Sequence, residues 1–278
     1  MTAVLPPPTG DMVEELSVLP KADCVADSAG GLTFDLADLC RPGAAHLLLR
    51  LRDKGDEGVG DETRLPLTPA ADGRLRAVLP SSVELAEGRW DVYVDHGDGE
   101  PQRLVPGVND LRSLVDRMPS GTRPHTAVRI PYATKHGNLT VRAWHRAPHA
   151  EAGELLIADE ALTVGGRVFG TPLTTDAYAE LRSRTDAALV HRAEVTADGA
   201  DFGFTAAYAE LAEKPGVWDL WLRPAGQDGP AARIGRLLDD VADKKAIFTY
   251  PAVEVGGTTV QPYYTRDNDL SVRVTATG

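Results

Sequence analysis

Histidine can bind zinc and exchange protons near neutral pH, so it is the first residue type to examine for chemistry. The chain has seven histidines, of which only His145 and His149 lie close together, in the sequence HRAPH. Pro148 opposes the helix that would place an i, i+4 pair on one face, and neither histidine has a cysteine or carboxylate at ligand spacing. The spacing therefore favours solvated histidines over a zinc site.

Nucleophile and phosphate motifs are absent from the sequence. It contains no G-x-S-x-G, no G-x-x-x-x-G-K-[ST] and no S-x-x-K with partner motifs. The stretch GGRVFG (165–170) leads into no convincing helix, which favours a β-turn over a phosphate cradle. Cys24 and Cys40 have no adjacent histidine and are predicted to be core thiols. No catalytic residue, cofactor or metal site is predicted.

Acidic residues cluster in RDKGDEGVGDE (52–62) and in TRDND (265–269). Carboxylates in loops can supply the six to eight oxygens that calcium requires, but neither stretch has the D-x-[DN]-x-[DN]-G spacing. We therefore expect solvated hairpin tips in preference to a calcium site. A pair of carboxylates for glycoside hydrolysis remains open, because sequence gives no separation between carboxyl groups.

Internal repetition is the main organising feature of the chain. ELAEGRWDVYV (84–94) matches ELAEKPGVWDLWL (210–222), and PYATKHGNLTVR (131–142) matches PYYTRDNDLSVR (262–273) at six of twelve positions. A weaker echo pairs GGLTF (30–34) with GGRVF (165–169). The period of about 130 residues exceeds the 20–50 residues of a solenoid repeat and suits a whole domain.

The repeat predicts two similar domains within the 278 residues. Residues 1–20 form a Pro-rich N-terminal segment, 21–146 the first repeat and 147–278 the second. The join falls near HRAPHAEAG (145–153), whose composition is typical of a short linker.

Strand-like alternation predicts the fold of each repeat. Trp90, Val92 and Val94 alternate with polar or aromatic residues, as do the corresponding residues of GVWDLWL (216–222). Turn residues in KHGN and RDND predict hairpins, and VNDLRSLVDRM (108–118) and RIGRLLDDVADKK (233–245) predict short helical insertions. The pattern is typical of an all-β protein with two tandem immunoglobulin-like antiparallel β-sandwiches. Trp90 and Trp218 are predicted to fill the two cores.

If those two tryptophans point inward, Tyr93 and Trp221 point outward at the same place in each repeat, and Trp144 points outward on the last strand of the first. Outward aromatic rings can stack on sugars or bind another subunit. These three residues are the candidate partner or sugar contacts, although a loop or the other domain could cover each of them. Cross-strand ion pairs of Asp91 with Arg142, and of Asp219 with Arg273, are a further hypothesis.

Charge and composition limit the classes of partner that the chain is expected to bind. A formal net charge of -12 argues against a broad nucleic-acid-binding face, although a local basic patch remains open. No apolar stretch approaches the roughly 20 residues of a membrane span, and the N-terminus resembles no signal peptide. Two cysteines confined to one repeat suggest reduced thiols, so the cytoplasm is the expected location, with peripheral membrane association through a partner left open.

The paired segments PYATKHGNLTVR and PYYTRDNDLSVR resemble segments in the accessory C-terminal region of bacterial glycosyltransferases and glycerophosphotransferases that build cell-wall polymers such as teichoic acids. The resemblance implies tandem immunoglobulin-like domains over about residues 25–278, which in that group follow a catalytic domain and can hold the enzyme as an oligomer. The nucleotide-sugar domain with its D-x-D motif is absent. The string DND (267–269) lies in a predicted hairpin turn, so no catalytic residue carries over.

The sequence thus favours a non-catalytic accessory protein for assembly or polymer recognition, linked to a glycan or cell-envelope enzyme. Its expected partners are a second copy, a glycosyltransferase domain or a glycan. One alternative is a stand-alone carbohydrate-binding protein, and another is an enzyme with its active site in the cleft between the domains.

Overall fold

A computed structural model describes residues 19–37, 44–52, 61–70, 72–115, 117–119 and 124–277. Strands account for nearly all regular structure. Those of the first half are β1 Lys21–Ala26, β2 Leu32–Ala37, β3 His46–Leu51, β4 Glu62–Pro66, β5 Thr68–Pro69, β6 Arg74–Leu79, β7 Gly88–Asp95, β8 Gln102–Arg103, β9 Val105–Asp110, β10 Thr126–Ala133 and β11 Leu139–Arg146. Those of the second half are β12 His149–Ile157, β13 Ala161–Phe169, β14 Tyr178–Ser183, β15 Val190–Glu194, β16 Thr196–Asp198, β17 Asp201–Ala207, β18 Gly216–Arg223, β19 Ala232–Gly235, β20 Val253–Val255, β21 Thr258–Tyr264 and β22 Leu270–Ala276.

The two halves repeat one strand topology. In the first, one sheet has the order β5-β6-β2-β1-β9 and the other the order β10-β11-β7-β3-β4, with β8 beside β7. The second half repeats these orders as β16-β17-β13-β12-β19 and β21-β22-β18-β14-β15, with β20 added beside β21. Strand β19 belongs to both sheets, because it runs parallel to β12 and antiparallel to β18. The fold is all-β, with two tandem immunoglobulin-like sandwiches, as the sequence predicts.

Each half has its own core, because the inward positions of its strands are apolar. Trp90 lies in the first buried cluster and Trp218 in the second, and both are nearly inaccessible. Each indole N–H donates to a carbonyl four residues earlier, Ala86 at 3.0 Å and Lys214 at 3.3 Å. Buried indoles need such an acceptor. Within the described ranges, every strand pairing joins strands of the same half.

The helical insertions differ from the sequence expectation. The first stretch contains a single 3-10 turn, Arg112–Leu114. In the second half, β19 occupies the beginning of the stretch 233–245, and the one α-helix in the described ranges is α1, Tyr208–Ala212, just before β18. Instead of a helix, the start of this stretch pairs with β12 and β18, and the backbone N–H groups of Leu237 and Leu238 donate to the Glu151 carboxylate at 2.9–3.0 Å.

Two local sequence interpretations were wrong. Strand β13 is the counterpart of β2, and the strand register makes Leu162 the counterpart of Leu32, since Leu32 lies opposite Ala26 and Leu162 opposite Ile157. GGLTF lies at the start of β2, whereas GGRVF lies at the end of β13. The similarity between the two stretches therefore joins positions that do not correspond in the fold. GGRVF is also strand and not turn. A Cβ on Gly166 would lie 2.3 Å from the Glu151 carbonyl oxygen and 2.5 Å from the Phe202 ring, so strand packing requires glycine there.

The predicted linker is also mostly strand. Strand β11 ends at Arg146 and β12 begins at His149, which leaves two residues between the halves. His149, expected to be solvated, is fully buried, and its Nε2 lies 2.7 Å from the Glu151 carboxylate. It is buried because the chain continues directly from the last strand of one sandwich into the first strand of the next.

Candidate binding surface

Tyr93 lies on the outer face of the sheet that contains β7, half-buried. The alternation that buries Val92 and Val94 directs its ring outward. Two guanidinium groups approach the ring, Arg50 at 5.1 Å and Arg103 at 4.9 Å from its centroid. Both distances are within the range of cation–π attraction.

Trp221 occupies the corresponding position on β18 and is also half-buried. The guanidinium of Arg182 lies 4.4 Å and that of Arg233 5.5 Å from its ring centroid. Tyr93 and Trp221 therefore share both a sheet position and a pair of arginines. The structure places these two predicted contact residues on an accessible face, and their predicted role in binding a partner or sugar stays a prediction.

In the first half, the carboxylate of Asp91 accepts hydrogen bonds from the neighbouring arginines. Asp91 accepts hydrogen bonds from Arg52 at 2.5 and 3.3 Å, from Arg103 at 2.6 Å and from the Thr140 hydroxyl at 3.0 Å. Burial lowers the pKa of Arg103 below its ordinary value, and the negative charge of Asp91 opposes that shift. Asp91 thus compensates two guanidinium groups at once.

The second half repeats this network. Asp219 accepts from Arg184 at 2.5 and 3.1 Å, from Arg233 at 2.7 Å and from the Ser271 hydroxyl at 2.8 Å. Although burial favours a raised pKa, the bonds from Arg184 and Ser271 and the charge of Arg233 hold the pKa of Asp219 below its ordinary value. The carboxylate is therefore ionised at neutral pH.

The predicted pairs of Asp91 with Arg142 and of Asp219 with Arg273 are wrong. The strand register sets Thr140 opposite Asp91 and Ser271 opposite Asp219, one pleat away from those arginines. Arg142 instead pairs with Asp267, and the Arg273 guanidinium lies 4.5 Å from the Tyr263 ring centroid.

We call this outer surface the arginine–aromatic face of each sandwich, and strand register and hydrogen bonding define its matching positions. In the first half it consists of Arg50, Arg52, Arg64, Asp91, Tyr93, Arg103, Tyr132 and Thr140. In the second half it consists of Arg182, Arg184, Arg192, Asp219, Trp221, Arg233, Tyr263 and Ser271. At these matching positions each face carries four arginines and one aspartate. Further carboxylates pair with some of these arginines, Glu62 with Arg50, Asp95 with Arg64 and Glu180 with Arg182.

Sequence reasoning missed these arginines, although one signal for them exists. LRLRD (49–53) corresponds to LRSRT (181–185), and its arginines supply the ring and aspartate contacts in each half. Arg103 and Arg233 have no such shared motif, because the residues around Arg103 in β8 differ from those around Arg233 in β19.

Trp144 is the candidate contact that the structure contradicts. It is 1% exposed, and its indole N–H donates to the Asp267 carbonyl of the second half at 3.0 Å. The Arg142 guanidinium lies 4.6 Å from its ring centroid. Trp144 points outward from its own sheet, as the alternation predicts, but the second sandwich covers it. It is therefore unavailable to a ligand.

The hairpin tip between β21 and β22 provides that cover, so its predicted solvation is wrong. Asp267 accepts from Arg142 at 2.8 Å, and Asp269 accepts from Arg146 at 2.6 Å. The Arg89 guanidinium donates to the Arg266 carbonyl at 2.7 Å. Burial and repulsion from Arg89 lower the pKa of Arg142, although Asp267 opposes the shift. The acidic tip therefore serves as a docking element between the halves.

Asn268, at the centre of the tip, is completely buried and has a left-handed backbone with φ 60°. Its side-chain oxygen accepts the backbone N–H of Lys244 at 3.0 Å, and its amide donates to the carbonyls of Val241 and Ala242. Leu237, from the loop before these residues, completes the first core cluster. Leu238 and Ala242 pack against the same cluster, so this loop of the second half extends the core of the first.

Differences between the repeats mark this interface. Val128, Ile130 and Trp144 face outward on β10 and β11 yet are buried. The register gives their second-half counterparts as Thr259, Gln261 and Thr275, none of which is buried. The apolar residues occur only where the other sandwich covers the sheet.

Two cavities border the junction of the halves. One of about 630 Å³ includes Arg117, Glu151, Arg167, Phe169 and Arg236 in its lining, but Glu151 is already held by His149 and two backbone N–H groups. The other, of about 510 Å³, lies beside the docked hairpin tip and is lined by Leu51, Arg52, Glu87, Gly88, Arg89, Arg266 and Asp267.

The remaining predicted chemistry is placed as follows. Cys24 is buried, and desolvation strongly raises the pKa of its thiol, whereas Cys40 and residues 53–60 of the acidic loop lie outside the described residues. Glu62 of that loop pairs with Arg50 at 2.7 Å. In the described part of the chain, no group of three or more His, Cys, Asp or Glu side chains is placed to hold a metal ion. No described helix has both the length and the apolar character needed to cross a membrane.

No protein-family model matches the chain, and no curated protein matches it. Among solved structures it is similar to TarS of S. aureus, with 15% identity and a TM-score of 0.37 over 54% of this chain and 28% of that one. It is also similar to domains 3 and 4 of rat CD4, with 10% identity and a TM-score of 0.20 over 74% and 93% of the two chains. Three fibronectin domains of chicken CNTN1 match at 11% identity and a TM-score of 0.20, over 78% of this chain and 65% of that one. This chain therefore spans less than a third of the TarS length.

Proposed function

We propose that this chain is a non-catalytic accessory module that recognises a glycan polymer through the arginine–aromatic faces and presents it to an associated cell-envelope enzyme. The observation that carries the proposal is the repetition of the face in both sandwiches. A core tryptophan recurs because each sandwich needs a large buried side chain. An outward aromatic ring surrounded by arginines is not needed to form the core, so its repetition suggests a role in binding.

The chemistry of the face suits a sugar polymer. An aromatic ring stacks on the apolar face of a pyranose, and adjacent guanidinium groups donate hydrogen bonds to hydroxyl or acidic substituents. Two such faces on one chain would bind two segments of the same polymer, which raises the overall affinity by effective concentration. This reasoning favours polymer recognition over a single-sugar site.

The test is calorimetric titration of the full chain with cell-wall glycan fragments of increasing length. Trp221→Ala removes a stacking ring, and we expect about a 2- to 13-fold loss of affinity, which corresponds to about 0.5–1.5 kcal/mol. Ile247→Ala, which also removes an exposed apolar side chain but lies off both faces, serves as control. Equal affinity of Trp221→Ala and wild-type protein for every fragment that binds would refute the proposal, as would no binding at all.

Self-association is the second candidate function, and one surface favours it. Val25 and Val78 are 44% and 51% exposed on the outer face of the first β1-β2-β6 sheet, where Thr33 joins them in one cross-strand row. The second half has Leu156, Thr163 and Thr205 at the positions of Val25, Thr33 and Val78, so only one apolar side chain remains in that row. A light-scattering mass that rises with concentration, and that Val78→Lys holds at the monomer value, would support assembly through this sheet.

A further inference from the structure

The cleft beside the docked hairpin tip is positively charged in a chain of net charge -12. Arg52, Arg89 and Arg266 line it, together with Glu87 and Asp267. Glu87 pairs with Arg146 at 2.9 Å, and Asp267 pairs with Arg142 at 2.8 Å and with Arg89 at 3.4 Å. Arg52 is bound to Asp91 at 2.5 Å. Of the three lining guanidinium groups, only that of Arg266 has no carboxylate partner among the described residues.

One arginine in the lining of this cleft has no acceptor among the described residues. In the described part of the chain, the Arg266 guanidinium forms no hydrogen bond or ion pair, and its residue is exposed at the rim of the cleft. Arg89, also in the lining, is engaged by the hairpin itself, since its guanidinium donates to the Arg266 carbonyl at 2.7 Å and lies 3.4 Å from the Asp267 carboxylate. Arg266 is therefore the lining guanidinium that an added anion can pair with.

We propose that this cleft binds an oxyanion of the phosphate class, carried by a small organic ligand or by a polymer. Guanidinium groups bind phosphate oxygens through paired, charge-assisted hydrogen bonds. A volume of about 510 Å³ accommodates a phosphate with an attached sugar-sized group. The cleft exists only when the second-half hairpin is docked, so the bound anion would also strengthen the contact between the halves.

The site is separate from the arginine–aromatic faces except for Arg52, whose guanidinium is bound to Asp91. Glycan binding through the ring of Trp221 and anion binding through Arg266 can therefore fail independently. Arg266→Gln tests the second alone, because the exposed side chain makes no contact that the fold depends on.

The experiment titrates the full chain with pyrophosphate, glucose 6-phosphate and dimethyl phosphate at constant ionic strength, followed by calorimetry and ³¹P NMR, with glucose as the uncharged control. We expect saturable binding of at least one phosphate compound, weakened about fivefold or more in Arg266→Gln. Preference for glucose 6-phosphate would indicate a small monoester ligand, and preference for dimethyl phosphate would indicate a phosphodiester polymer; either supports the site.

Arg112→Gln is the matched control, since it removes one exposed positive charge from another part of the surface. It should leave binding unchanged. Equal weakening by Arg112→Gln and Arg266→Gln would show general charge attraction and overturn the proposal. Absence of saturable binding for all three phosphate compounds would overturn it as well.

Discussion

At the residue scale, the four tryptophans show what alternation can and cannot predict. It correctly separates the inward Trp90 and Trp218 from the outward Trp144 and Trp221. What covers an outward ring is decided by another part of the chain, which alternation does not describe. Arginines partly cover Trp221, and a second domain covers Trp144.

Because Trp144 is covered by the second sandwich, we expect its substitution to lower the stability of the fold and not the affinity for a ligand. Trp144→Phe keeps an aromatic ring but leaves the Asp267 carbonyl without its donor, so we expect a loss of about 1 kcal/mol in the free energy of unfolding. Trp144→Ala also opens a cavity and should cost about 3–5 kcal/mol. Urea unfolding followed by fluorescence measures both values.

Thr275→Ala is the control for these variants, since Thr275 holds the corresponding position of β22 and is exposed. Its expected effect is within about 0.5 kcal/mol. A cost for Trp144→Ala no greater than that of Thr275→Ala would mean that the second half does not cover Trp144 in solution.

At the element scale, two hairpins share one geometry and differ in environment. In the first, Thr134 N–H donates to the Asn138 carbonyl at 2.9 Å, and in the second Thr265 N–H donates to the Asp269 carbonyl at 2.8 Å. The left-handed position is Gly137 in one and Asn268 in the other. The first tip is exposed, whereas the second is docked.

Asn268 is predicted to stabilise its tip through both backbone and side chain. Asn268→Gly keeps the left-handed backbone but removes the acceptor of the Lys244 N–H, which should cost about 1–3 kcal/mol. Asn268→Ala should cost about 1–2 kcal/mol more, because alanine disfavours a positive φ. Thermal unfolding of the two variants measures this difference.

Gly137→Asn in the exposed hairpin is the control. A Cβ there meets no atom within 4 Å, and asparagine tolerates the left-handed region, so we expect little change. If Asn268→Ala and Asn268→Gly were equally stable, the left-handed conformation at this position would be in doubt.

These elements also show how much the sequence predicts. The strands, both core tryptophans and the hairpin turns follow from alternation and turn residues, which act locally. The docking of TRDND does not follow, because its carboxylates meet arginines more than 120 residues away. The helix expected from RIGRLLDDVADKK is wrong because its first residues pair with β12 and β18, which are distant in sequence and which the local helical spacing does not reveal.

At the scale of the whole molecule, the halves should unfold together because the interface contains buried polar contacts and because Leu237, Leu238 and Ala242 of the second half pack in the core of the first. Asp267→Ala with Asp269→Ala removes the acceptors of Arg142 and Arg146 and leaves both guanidinium groups underneutralised. We expect the single calorimetric transition of the wild-type chain to separate into two.

Asp159→Ala with Asp198→Ala is the control, since it removes two exposed carboxylates from the second half that line neither cavity at the junction. It should leave one transition. Two resolved transitions in the wild-type chain, or one in the interface variant, would mean that these carboxylates do not couple the halves.

The strands that cross between sheets, β8–β9 in the first sandwich and β19 in the second, have a further consequence for partner recognition. By pairing with both layers, they link the two sheets of each sandwich and occupy backbone donors and acceptors of the strands they join. An extended peptide joins a sheet only through unpaired edge groups. Strand addition by a partner is thus directed to last strands that no crossing strand covers, which are β4, β5 and β10 in the first half and β15, β16 and β20 in the second.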